Sequence, residues 1–297
     1  MKPAPFDYFD PTTLPEALAL LDQYGDEGKV LAGGQSLLPL LYMRLAQPRY
    51  LVDVNRVDGL ADVRVEDGTL CIGALVRQRA VERAPVVQAG WPLVVEALRL
   101  VGHSQIRNRG TFGGSVAHAD PSAELPAVVA LLNGTMRAAS VGGERTLTAD
   151  EFFLTYLTTA LDSSELLVEV RLPAPPAGSG WAFLEVSRRQ GDFALVGVGC
   201  LLALEADGRH VAEARLAFTG VGGTPLRARE AEAALAGEVA EAAAFVRAGE
   251  LAQAAAEPDA DIHASADFRR HLVGVLARRG LALALERAIA RREEEQS

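Results

Sequence analysis

Two stretches of the chain combine bare backbone with hydroxyl side chains more densely than a plain turn needs. The first is "LAGGQSLL" (31–38), where Gly33-Gly34 follows a short apolar run and Ser36 opens a helix-like segment. The second is "GTFGGSVAHADPSAELPAV" (110–128), where Thr111, Gly113, Gly114 and Ser115 repeat that chemistry further along the chain. Glycine has no Cβ, so a ligand can come close to the backbone amides, and amides at a helix start favour an anion. The carboxylate of Glu124, beyond the second pair, suits a ring N–H or sugar hydroxyl. A turn before a capped helix explains either dipeptide alone; two together suggest a long dinucleotide lying between subdomains. Neither stretch is G-x-G-x-x-G, so the Rossmann fingerprint does not apply. Gly114 is expected where backbone meets ligand, in a conformation open to positive φ.

The elements that must position these loops read as an alternation of strand and helix. Thr13 and Glu16 form a capping box ahead of "EALALLDQY". "KVLA" (29–32), the helix "LLPLLYMRL" and the strand "YLVDV" (50–54) then make a small βαβ-like unit. "TLCIGAL" reads as a strand, "WPLVVEALRLVG" as a helix, and "AELPAVVALLNG" as a helix closed by Gly134. The Asp120-Pro121 pair reads as a turn before that helix, with Ser122 as its cap. "ELLVEVRLP" (165–173) alternates as a strand, and "PAPPAGSG" (173–180) is the one clear linker. Beyond it come three strand-like runs, an Ala-rich helical tract (227–256) and a C-terminal helix (266–292). The expected fold class is α+β: an N-terminal α/β domain over 1–172, with subdomains of about 1–55 and 56–172, then a smaller domain over 181–290. That second domain is expected to hold a three-stranded antiparallel sheet and a helical bundle.

Composition narrows the function. A net charge of −10 argues against nucleic acid as a partner. The longest apolar run, "ALVGVGCLLAL" (194–204), is too short to span a membrane, so no transmembrane segment is expected. "MKPAPFDYFDP" carries no hydrophobic signal region, which makes a cytoplasmic location the expectation. Cys71 and Cys200 lie in apolar strand-like runs and read as buried thiols; two cysteines cannot hold a four-cysteine iron–sulfur cluster. His103, His210, His263 and His271 lack metal-ligand spacing, and no metal site or nucleophile–base pair stands out. Arg107 and Arg109 read as a loop anchor or a partner-facing surface.

The stretches "LAGGQSLLPLLYMRL", "LCIGALV", "QIRNRGTFGGSVAHADPSAELPAVVALL", "ELLVEVRLP" and "SRRQGDFALVGVG" resemble, in order, the FAD-binding medium subunit of the molybdenum hydroxylases. "ADFRRHLVGVLARRGL" is similar to the end of those subunits. The resemblance implies an FAD-binding domain of the PCMH type, with the first loop (Ala32, Gly33, Gly34, Gln35, Ser36 and Leu37) around the FAD diphosphate. It implies Thr111, Phe112, Gly113, Gly114 and Ser115 at the diphosphate and ribityl region, Glu124 on the flavin side, and Val101 near the adenine. Leu167 is implied near the ring system and Phe193 beside the isoalloxazine, where relatives often carry Tyr or Ile. Leu184 is matched to a position where several relatives carry a lysine facing the cofactor. His118 is placed either at the cofactor or in a structural role.

The resemblance further implies non-covalent FAD as the only cofactor of this chain and no catalytic side chain. Molybdopterin is expected on a large partner subunit and two [2Fe–2S] clusters on a small one, in a dimer of heterotrimers. The chain's FAD would collect electrons from the clusters and pass them to an external acceptor: quinone, cytochrome, NAD or oxygen. The alternative is a stand-alone flavoprotein oxidase or reductase. Such oxidases often tether FAD through a histidine in the first loop, and "AGGQS" has none.

Overall fold

Thr13 and Glu16 start the first helix reciprocally: the Glu16 amide donates to Thr13 Oγ1 (3.4 Å) and the Thr13 amide to Glu16 Oε2 (3.2 Å). The computed structural model describes residues 2–296. Its first unit runs β1 (Asp7–Phe9), α1 (Leu14–Tyr24), β2 (Gly28–Leu31), α2 (Leu37–Tyr42) and β3 (Tyr50–Asp53). The three strands form a parallel sheet in the order β1-β3-β2. Parallel β2 and β3 need a crossover, and α2 with its preceding glycine loop supplies it. The helix stops at Tyr42, shorter than the sequence suggests, because Arg44 turns into the left-handed region (φ 58°) and the Leu45 amide folds back onto the Leu40 carbonyl (2.9 Å).

The second unit contains β4 (Val63–Glu66), β5 (Thr69–Gly73), α3 (Gln78–Arg83), α4 (Pro85–Gly90), α5 (Pro92–Leu100), α6 (Ser104–Arg109), α7 (Phe112–His118) and α8 (Glu124–Leu131). It ends with β6 (Thr135–Ser140), β7 (Gly143–Thr148), α9 (Ala149–Phe152), β8 (Phe153–Thr155), β9 (Thr158–Thr159) and β10 (Leu166–Pro173). A five-stranded antiparallel sheet orders β4-β5-β10-β6-β7, and the helices pack against it around Ile72, Leu98, Phe112, Leu125 and Leu131. Gly134 does not close α8 in the way the sequence suggests. The left-handed residue is Asn133 (φ 52°), and the Gly134 amide then donates to the Val129 carbonyl at 2.8 Å. Ser122 is not the cap either. Ala123 occupies that position, and Asp120 Oδ1 accepts from the Ser122 amide (2.9 Å) in the turn.

After the linker come β11 (Gly180–Val186), β12 (Val196–Leu204), β13 (Val211–Thr219), β14 (Leu226–Arg227), α10 (Arg229–Leu235), α11 (Ala242–Ala255) and α12 (Ala266–Gln296). The expected three-stranded sheet has four strands, β11-β12-β13-β14, all antiparallel. The two-residue β14 is too short to leave a hydrophobic alternation. The Ala-rich tract is two helices rather than one, broken where Gly237 takes φ 77°. One face of this sheet (Ala182, Val198, Cys200, Leu216) packs on α10–α12, and the other (Phe183, Leu201, Ala217) joins the core of the second unit. A sheet covered on both faces explains the unbroken apolar run in β12. Both cysteines are buried. No helix among the described residues is long and apolar enough to cross a membrane.

Candidate functional site

The two glycine stretches meet. A Cβ on Gly33 would lie 2.6 Å from the Arg109 carbonyl oxygen, 2.7 Å from Gly110 Cα and 2.9 Å from the Thr111 nitrogen. Gly33 is therefore required by contact between the loops themselves. Gly34 takes φ +73°, a conformation that side chains resist. Among the described residues, the amides of Gly33, Gly34, Gln35 and Ser36 have no acceptor, while Gln35 Nε2 donates to the Gly33 carbonyl (3.1 Å) and shapes the loop. These are donors of the kind an anion satisfies.

The second stretch differs from the expected loop. Thr111 is the N-cap of α7, its Oγ1 accepting from the Gly114 amide at 3.1 Å, so Phe112, Gly113, Gly114 and Ser115 form the first turn of a helix. Gly114 accordingly does not adopt positive φ. A Cβ there would meet Thr111 Oγ1 at 2.5 Å, and one on Gly113 would meet the backbone of Ala74 at 2.6 Å, so close packing explains both glycines. Phe112 is wholly buried and fixes the turn in the core.

A polar bridge not anticipated from the sequence binds the loops together. Arg77 Nη1 donates to the Arg109 carbonyl (2.5 Å) and Nη2 to Asn55 Oδ1 (2.7 Å), while Asn55 Nδ2 donates to the Ala32 carbonyl (2.7 Å). Arg77 directly follows the apolar strand run "LCIGALV", which is the only local signal it carries. Arg107 anchors α6: it is buried, pairs with Glu82 (3.0 Å) and donates to the Val101 carbonyl (2.9 Å). Arg109 is exposed and contributes its carbonyl, not its charge.

The remaining candidates divide. Glu124 stands at the start of α8 and is 4% exposed. Burial pushes its carboxyl up to about 8, with the nearby Glu185 adding to the rise. Val101 ends α5 and packs against the core of the second unit, and Leu167 is buried in that core. Phe193 is 60% exposed on the β11–β12 hairpin, so it is not a core aromatic. Leu184 points to the other side of its sheet and packs with the C-terminal core. The neighbour that faces the second unit is Glu185, whose carboxyl burial raises to about 7. His118 is half-buried in the last turn of α7, and burial lowers its basicity against the opposing pull of Asp120. Near this hairpin, Gly191 lies against the His103 ring.

The donor set fits a dinucleotide. It offers free amides on the first loop for a diphosphate, a hydroxyl-capped helix start beside them, and the buried carboxyl of Glu124 on the helix that follows in the chain. Residues 4–175 match the family described as FAD binding domain in molybdopterin dehydrogenase. Residues 181–284 match the CO dehydrogenase flavoprotein C-terminal domain. The chain is 41% identical to the 6-hydroxypseudooxynicotine dehydrogenase complex subunit alpha of Paenarthrobacter nicotinovorans, covering 97% of each chain. It is 46% identical to caffeine dehydrogenase subunit beta of Pseudomonas sp. strain CBB1, over 76% of this chain and 77% of that one. It also superposes, with a TM-score of 0.94 and 40% identity, on a chain of the carbon monoxide dehydrogenase from Hydrogenophaga pseudoflava which lacks the Mo-pyranopterin moiety of the molybdenum cofactor. That match covers 97% of this chain and 99% of the other.

Proposed function

The chain belongs to the family of FAD-binding medium subunits of the molybdenum hydroxylases, and from that premise we propose that it carries electrons from a partner's iron–sulfur clusters to an external acceptor. The observation that supports this reading most is the pair of abutting loops, whose amides between Gly33 and Ser36 have no acceptor among the described residues. Bound FAD supplies the chemistry, because a flavin can exchange electrons singly or in pairs. The chain's residues bind and orient it. Ala32 to Leu37 hold the diphosphate, and the α7 turn from Thr111 to Ser115 closes on it from the other unit. Arg77 and Asn55 keep the two halves in register. Glu124 meets the polar edge of the ring system, and the exposed Phe193 covers its face. Val101 lies near the adenine and Leu167 near the ring system.

The division into an FAD-binding domain over 1–172 and a C-terminal domain over 181–290 belongs to the same proposal. So do the cytoplasmic location and the large molybdopterin and small [2Fe–2S] partners in a dimer of heterotrimers. A stand-alone oxidase would need its own substrate-oxidising centre, and no observation in this chain favours that reading.

The test is affinity purification of the tagged chain from its native cell, with mass spectrometry and metal analysis. A large and a small companion chain, with iron and molybdenum in the complex and no iron in this chain alone, is the expected result. A chain that purifies by itself and is catalytically complete would contradict it.

A further inference from the structure

The segment 103–123 holds α6, the glycine turn that starts α7 and the turn into α8, and the unit after the linker touches it at both ends. At the first end, the hairpin between β11 and β12 lies on His103, the residue before α6. Gly191 of that hairpin takes φ +86°, and a Cβ there would lie 2.5 Å from His103 Cε1 and 2.8 Å from Nδ1, so bare backbone rests on the ring. At the other end, the close of β13 holds the turn after α7. The Gly220 amide donates to the Pro121 carbonyl (2.7 Å), and the Thr219 hydroxyl lies between the Pro121 (2.6 Å) and Ala123 (2.8 Å) carbonyls.

One side chain joins the two grips. Arg269, near the start of α12, is 6% exposed. Its Nη1 donates to the Leu195 carbonyl (2.5 Å) and more weakly to the Gly220 carbonyl (3.4 Å), while Nη2 pairs with Asp261 (2.7 Å). Leu195 closes the base of the hairpin, its amide donating to the Val186 carbonyl at 2.8 Å. Leu195 and Gly220 already abut: Gly220 takes φ +77°, and a Cβ there would lie 2.5 Å from the Leu195 carbonyl oxygen. Asp261 is itself fixed, accepting from the His263 (2.8 Å) and Ala264 (2.9 Å) amides. Arg269 Nε has no partner among the described residues, so the guanidinium is held by these bonds. The hairpin, the end of β13 and the start of α12 are thereby tied together at one buried cation.

Between the two grips lies the half of the cradle that meets the first loop. Helices α6 and α7 have six and seven residues, so neither completes two turns, and helices this short take their place from packing rather than from their own stability. Arg77 and Arg107 hold α6 from within the second unit, whereas the turn after α7 takes its bonds at the Pro121 and Ala123 carbonyls from the C-terminal unit. Gly33 stands so close to the Arg109 carbonyl that a Cβ would have only 2.6 Å, so small movements of the segment change the contact between the loops.

We propose that Arg269 is a positioning residue for the cofactor: through it the C-terminal unit grips segment 103–123 at both ends and fixes where the α7 turn closes on FAD. This rests on the FAD reading and gives the C-terminal unit a part in binding, through a side chain none of whose bonding partners lies in either glycine loop. A guanidinium suits the task because its two Nη atoms reach two partners at once, which a single ammonium nitrogen cannot do.

The test uses the full chain, with FAD as the probe. By fluorescence titration, Arg269→Lys should bind FAD about tenfold more weakly, the effect of one or two lost hydrogen bonds. Asp261→Asn leaves Arg269 in place and removes only the charge that holds Nη2; this milder variant, which serves alone if the lysine variant does not fold, should show about a threefold loss. Arg292→Lys is the control. Arg292 lies on the same helix and holds the Glu205 and Ala206 carbonyls in the same way, but on the β12–β13 turn, so its loss should leave FAD affinity within about twofold. Hydrogen exchange read by mass spectrometry separates positioning from a general loss of stability. In Arg269→Lys and Asp261→Asn, exchange should quicken within 103–123 and keep the wild-type rate in β5 and β10 of the same unit. Wild-type affinity in both variants, an equal loss in Arg292→Lys, or exchange that quickens as much in β5 and β10 would overturn this proposal and leave the FAD reading standing. A wild-type chain that binds no FAD would overturn both.

Discussion

Replacing Gly33 with alanine tests whether the two loops form one cradle. The new Cβ would meet three backbone atoms of the second loop at 2.6, 2.7 and 2.9 Å. Comfortable carbon contacts begin near ~3.5 Å, so residues 109–111 must retreat by nearly ~1 Å. Backbone cannot rotate aside as a side chain can, and overpacking of this kind costs about 1–3 kcal/mol. The displaced segment includes the Arg109 carbonyl that Arg77 holds and Thr111, the cap of α7. The loss should therefore appear in cofactor binding as well as stability: at ~1.4 kcal/mol per decade, FAD should bind about 10- to 100-fold more weakly. The assay is FAD titration beside thermal unfolding followed by circular dichroism. Gly90→Ala is the control, because a Cβ at Gly90 meets nothing within 4 Å. If Gly33→Ala kept wild-type affinity and melting temperature, the contact between the loops would not be what shapes the site.

Three further outcomes follow from the same geometry. Arg77→Ala leaves the Arg109 carbonyl and Asn55 Oδ1 without their donor, costing about 1–3 kcal/mol by thermal melt, and Arg77→Lys should not restore it because a single ammonium nitrogen cannot stand at both Nη positions. Glu124, whose carboxyl lies at about 8 against an ordinary 4.5, stabilises the folded apoprotein fully below about pH 4.5, and that contribution is lost as pH rises toward 8. Glu124→Gln should accordingly be more stable than wild type at pH 8, by roughly 2–4 kcal/mol in urea melts, with little difference at pH 5. Cys71 and Cys200, buried and with thiols pushed up by burial, should resist a thiol reagent until the chain is unfolded; rapid labelling of the native chain would contradict their placement.

What the sequence revealed was local chemistry. The Thr13–Glu16 box, the first glycine loop and the strand–helix alternation each depend on neighbours within a few residues, and each appears in the structure. The second glycine stretch was legible as special but not as helical, because its two glycines, poor helix formers, are demanded by Ala74 and Thr111 Oγ1, which only the fold brings there. Register was the other loss. Leu184 was matched through the resemblance alone; in β11 it packs with the C-terminal core, and the alternation of the strand turns its neighbour Glu185 to the other face. Arg77 and Asn55 were invisible for a different reason: ordinary polar residues 22 positions apart become a bridge only when the two units pack.

The central claim is that these loops hold FAD without a covalent bond, and acid extraction tests it most directly. The native complex should be precipitated with acid, the supernatant separated by chromatography, and flavin counted against copies of this chain. One FAD per chain in the supernatant, with none left on the peptide, is the predicted result. FMN in its place, flavin that stays with the precipitate, or a complex in which this chain carries no flavin would contradict the account.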